Sequence, residues 1–155
     1  ILTAVIIISE SVVFCVCFFL ILKKKMKARD TFLNQFRGQT IGSVTDESTT
    51  EESFQNKVLR PILKLQNDLF VALLINYIDK NTPGFYSKTI DVKLTLIENA
   101  IQKDIQFRNV MKGIIIGLFT AGEYVIYAKN SSNINKRMMS MLAERLKSQV
   151  HLFEI

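Results

Sequence analysis

From Phe54 onward, apolar residues recur at the helical period, and no other feature of this chain limits its fold as strongly. At about 100° per residue, Phe54, Val58, Ile62, Leu65, Leu69 and Leu73 fall within one arc of a helix. A second set follows at Ile90, Leu94, Ile97, Ile101 and Ile105, and a third at Ile134, Met138, Met141, Leu142, Leu146 and Leu152. Only 6 Gly and 2 Pro are spread over 155 residues, too few for the turns of an all-β chain. The pattern predicts an all-α fold, a compact bundle of about five helices spanning residues 50–155.

Local signals punctuate the pattern. Thr49 and Glu52 have capping-box spacing, and so do Thr120 and Glu123, the second box opening a short helix that ends near Lys129. Pro61 removes a helical N–H and predicts a kink or break. Leu69 to Ile78 is apolar nearly all round, the signature of a central helix with neighbours on most sides. Asn81 to Gly84 reads as a turn, Lys103-Asp104 as a bend, and Asn130 to Asn133 as a turn that caps the last helix. That helix runs to about Phe153 with Met138 and Met141 inward and Met139 outward. Gly113 and Gly117 form a G-x-x-x-G pair, which predicts a close crossing against another buried helix.

Residues 26–49 read as a short helix carrying Met26, Phe32, Leu33 and Phe36, then a polar linker rich in Ser, Thr and Gly from Arg37 to Thr50. Residues 1–25 form an apolar run that ends in Lys23-Lys24-Lys25. Its length suits a membrane span, and the lysines would leave the helical domain in the cytoplasm, as in a single-pass inner-membrane protein. Against this, Glu10 sits near mid-run at a cost of about 2.5–3.5 kcal/mol, and Met26 stands directly before the soluble-looking part. The favoured reading is therefore mistranslated upstream sequence, with Met26 as initiator and a cytoplasmic protein.

The residue inventory excludes several chemistries. His151 is the only histidine, and the only cysteines, Cys15 and Cys17, lie in the apolar run. A zinc site needs more ligands than these, so no metal is expected. No nucleophile elbow occurs, and the glycines do not spell a phosphate loop. No catalytic residue and no cofactor is assigned. Net charge is +6, with three of the 20 basic residues and one of the 14 acidic ones inside residues 1–25. Lys136 and Arg137 near the last helix start give a helix-turn-helix outline, but they do not align with Arg145 and Lys147 into a phosphate-tracking stripe. Nucleic acid is thus the weakest of the binding readings. Glu98, Gln102, Gln106, Arg108 and Asn109 make the most polar cluster on an otherwise apolar segment and are the candidate site. The preferred function is a non-catalytic binding or oligomerisation module, with a second copy or another protein as partner.

Four stretches carry a resemblance: LRPILKLQ from Leu59, IENAIQKDIQFRN from Ile97, KGIIIG from Lys112 and NSSNINKRMM from Asn130. Through them, the chain from Arg29 to Phe153 resembles a family of short bacterial helical proteins that often bear the name glyoxalase. The resemblance implies a compact helical protein starting near Met26. The name implies β-rich modules whose His, Glu or Gln residues hold a metal, a His-rich dinuclear motif, or a catalytic Cys on an α/β fold. No such residue can be carried onto a position of this chain, so the glyoxalase-type enzyme stands only as an alternative.

Overall fold

The computed structural model describes residues 27–43 and 49–153, which fall in two units, Ile1–Phe36 and Arg37–Ile155. Helix α1 covers 27–37. In the first unit it stacks Phe32 on Phe36 at 5.5 Å between ring centres, with both rings at least half exposed. The readings of residues 1–25 lie outside the described residues. Among the described residues, no helix is long and apolar enough to cross a membrane.

The second unit is all-α, with no strand among its described residues. Thr49 caps α2 (Thr50–Phe54) by accepting from the Glu52 N–H at 3.1 Å. The chain then passes through one π-helical turn, Gln55–Leu59, into α3 (Arg60–Leu65). The wide turn is how the helix meets Pro61. The Arg60 N–H bonds five residues back to the Gln55 carbonyl, and Pro61 falls in the first turn of α3, where a missing N–H costs least. The break comes later, at Gln66 (φ −93°, ψ 11°), before α4 (Asn67–Asn81).

That break shifts the register. The buried residues are Phe54, Val58 and Ile62, then Phe70, Leu74 and Ile78. A spacing of four drifts about 40° per step on an unbroken α-helix, and the π turn and the break at Gln66 absorb the drift. Leu69 is consequently 44% exposed, and Leu73 is only partly buried. α4 buries one stripe and is not the central helix that its composition predicts.

After a turn with Gly84 at φ +69°, α5 (Ile90–Gln102) and α6 (Ile105–Gly117) are separated at Lys103-Asp104. Asp104 caps α6 through the Phe107 N–H at 2.9 Å. The break rotates α6, so Ile105 is exposed while Phe107, Met111 and Ile115 enter the core. A capping box opens α7 (Ala121–Lys129), and Asn130 leads into α8 (Ser131–Lys147) and a final 3-10 turn, Val150–Phe153. The most extensive helix pairing is α5 along α8, with α6 against both. Phe153 meets Phe85 edge-on at 6.4 Å to close that end of the core.

Two further expectations fail in this unit. Met139, expected outward, is 3% exposed, because α8 is covered on two sides and buries Ala143 and Met139 as well as the Ile134–Met138–Leu142–Leu146 stripe. Gly113 and Gly117 lie on the exposed face of α6, and a methyl group at either would meet nothing within 4 Å. They make no close crossing among the described residues. The start of the expected linker is also fixed. Arg37 is buried, the Ile41 N–H donates to the Asn56 carbonyl at 3.1 Å, and Asn56 Nδ2 donates to the Ser43 carbonyl at 2.9 Å.

Candidate functional site

The five residues of the expected polar cluster do not converge. Glu98 turns to Lys147 on α8, with Nζ 2.8 Å from Oε2, and the hydrogen bond and the positive charge hold its carboxyl below the usual range. Arg108 Nη1 folds back onto the Gln102 carbonyl at 3.1 Å, and these two residues border a cleft of about 230 Å³ with Lys112 and Lys136. Gln106 and Asn109 are exposed and do not line that cleft. The i, i+4 relation of Gln102 to Gln106 holds only on a continuous helix, and Lys103-Asp104 interrupts it. His151 is exposed, and no three of His, Cys, Asp and Glu come together among the described residues.

The helix-turn-helix outline takes form as α7, Asn130 and α8, but its side chains face elsewhere. Asn130 makes no side-chain cap for α8; its amide and that of Asn133 both donate to Glu51 on α2. Asn135 accepts from the Tyr127 hydroxyl at 3.1 Å. Arg137 reaches toward the π turn, where its Nε donates to Gln55 Oε1 at 2.5 Å.

A groove opens where α8 faces the α2–π–α3 segment. It holds two cavities, of about 830 and 540 Å³, which share Gln55, Arg60 and Arg137 as common lining. The π turn builds its floor. Four of the five residues in that turn are buried, among them the polar Gln55 and Asn56. Gln55 orients Arg137, and Asn56 holds the 41–43 segment by its main chain and its side chain. Asn56 Oδ1 is buried with no hydrogen-bond partner. Gly42 (φ +104°) sits where any Cβ would come within 2.7 Å of Arg60 Nη1, so the arginine lies across a position only glycine leaves open. Farther along, Arg145 Nε donates to Asn67 Oδ1 at 2.8 Å.

Sequence reasoning missed this groove. Its one legible signal is Gln55-Asn56, two adjacent amides directly after a core phenylalanine and just ahead of Pro61.

The third feature is α7. Its start is fixed by the reciprocal Thr120–Glu123 box and by Arg37, whose Nη1 and Nη2 hold the two Glu123 oxygens at 2.8 and 2.9 Å. Yet α7 contributes no buried residue, and Tyr124, Val125 and Ile126 are 52%, 54% and 42% exposed.

Comparison with known proteins returns no matching family model, no matching curated protein and no matching solved structure.

Proposed function

We propose that this protein acts by binding, as a self-associating module in which the outer face of α7 meets the same face of a second copy. The observation that carries the reading is a helix firmly anchored at one end that buries none of its own residues. Tyr124, Val125 and Ile126 are exposed on a helix whose N-terminus is held by a partly buried ion pair. Covering apolar surface gains about 25 cal/mol per Å², and a rigid helix loses little entropy when it is covered.

A second copy suits this face better than a charged partner. Glu123 is committed to Arg37, which leaves Lys129 as the only charged side chain on the exposed part of α7. A two-fold contact centred on Val125 therefore brings no like charges together at its middle. It also sets the small Ala121, Gly122 and Ala128 beside the facing helix, which lets the backbones approach.

Analytical ultracentrifugation of the full chain tests the reading. The parent is expected to dimerise with rising concentration, and Val125→Glu is expected to be monomeric with an unchanged circular dichroism spectrum. A parent that stays monomeric at all concentrations, or a Val125→Glu variant that still dimerises, would refute it.

A further inference from the structure

The groove between α8 and the α2–π–α3 segment has a chemistry that self-association through α7 does not use. Arg60, Lys64, Lys136, Arg137 and Arg145 line its two cavities, against Glu51, Glu52 and Glu144. None of the five cations forms an ion pair among the described residues. Two of the three carboxylates are already engaged by neutral donors, Glu51 by the Asn130 and Asn133 amides and Glu144 by the Ser140 hydroxyl.

The arginines are held in place without being neutralised. Arg137 is oriented by Gln55 and Arg145 by Asn67, in each case through Nε and an amide oxygen. A carboxylate in either place would cancel the charge, whereas an amide fixes the guanidinium and leaves the terminal N–H groups to meet an anion. Gln55 is itself 8% exposed, so the support is a packed one. Arg60 makes no side-chain hydrogen bond among the described residues and passes over Gly42. Arg60 and Arg137 border both cavities.

We propose that this groove binds a small phosphate monoester, with the phosphoryl group between Arg60 and Arg137 and the rest of the molecule in the larger cavity. Two arginines flanked by lysines match a dianion better than a single carboxylate, and guanidinium forks suit phosphate oxygens. The larger cavity, about 830 Å³, has the volume of a small-molecule site. Thr49, Glu52, Ser140 and Asn133 also line this cavity and give a ligand body polar neighbours. The two arginines reach the groove from different elements, Arg60 from α3 and Arg137 from α8.

The test is isothermal titration of the full chain with adenosine monophosphate, adenosine, inorganic phosphate and a single-stranded oligonucleotide of about twenty nucleotides, all at one ionic strength. The monophosphate is expected to bind, adenosine to fail, and inorganic phosphate to compete. Arg60→Gln breaks no hydrogen bond of the fold, so its melting temperature should match the parent while affinity for the monophosphate falls at least about tenfold. Arg108→Gln, in the separate small cleft, should bind as the parent does. Absence of monophosphate binding by the parent, or full retention in Arg60→Gln, would overturn the proposal. So would an oligonucleotide that binds more tightly than the monophosphate and is lost in Arg60→Gln, because the groove would then belong to a nucleic-acid strand.

Discussion

Arg37 and Glu123 meet through two parallel hydrogen bonds, and the same carboxylate accepts from the Thr120 N–H at 2.7 Å to close the capping box of α7. One acidic residue thus serves a helix start and a buried guanidinium 86 positions away. The partners are not equally covered: the Arg37 side chain is 4% exposed and that of Glu123 is 17% exposed.

This asymmetry predicts a ranking. Glu123→Ala removes two charge-assisted hydrogen bonds from a buried guanidinium and the cap of α7, so it should destabilise by about 2–4 kcal/mol. Arg37→Met leaves a carboxylate that still reaches water and still accepts from Thr120, and it should cost less. Urea denaturation of the two variants measures both. A larger loss for Arg37→Met would contradict the burial argument.

The Tyr77 hydroxyl donates to Asp104 Oδ2 at 3.0 Å, while Asp104 Oδ1 caps α6. The Phe107 N–H and then Tyr77 hold the Asp104 carboxyl below its usual range; burial, and then the carboxylate, push the Tyr77 phenol up. The signs give a two-sided pH profile. Stability from Asp104 is present above the unfolded carboxylate value, about 3.9, and is lost as pH falls through the lower folded value. Stability from Tyr77 is present below about 10 and is lost as pH rises through the higher folded value. Asp104→Ala should be less stable than the parent at neutral pH, with the gap closing in acid. Tyr77→Phe should show its gap closing in alkali. Denaturation across pH checks both, and a gap that ignores pH in either variant would exclude the assignment.

The bundle was legible because its main determinant, apolar periodicity, is local. Thr120 and Glu123 sit three residues apart and need no tertiary information to be read as a box, and the bend at Lys103-Asp104 is likewise local. What sequence could not resolve were phases that depend on irregular turns. The π turn at Gln55–Leu59 and the break at Gln66 move the core stripe from Leu69 and Leu73 to Phe70 and Leu74, and nothing in a regular 100° projection anticipates them. The same π turn carries Gln55 and Asn56 inward and creates the groove floor. Arg60 and Arg137 come together only through that packing. The polar cluster on α5 and α6, by contrast, needs Gln102 and Gln106 on one helix face, and the interruption at Lys103-Asp104 separates them.

Met139 offers a direct test of the corrected α8 packing. At 3% exposure it belongs to the core beside Met138 and Leu142, so Met139→Ala should cost about 2–5 kcal/mol of unfolding free energy. A side chain turned to solvent would change stability by less than about 0.5 kcal/mol. Chemical denaturation separates the two, and a near-neutral result would restore the outward placement.

Gly113 and Gly117 test the α6 surface in the opposite direction. Both are helical with no positive φ, and among the described residues no atom outside their own turn of helix lies within 4 Å of where a methyl group would stand. In such a place glycine brings only its entropic penalty, so Gly113→Ala should stabilise the domain by about 0.5–1 kcal/mol. Gly117→Ala, in the last turn of α6, should follow with the same sign and a smaller size, because the terminal turn frays. The corresponding rise in melting temperature is about 2–6 °C for a domain of this size. A close helix crossing at these glycines would give the reverse, since each methyl would push two backbones apart. The measurement should therefore be made at low and high protein concentration. Stabilisation at both places the glycine face in water. Destabilisation that grows with concentration would move the self-association surface from α7 to α6.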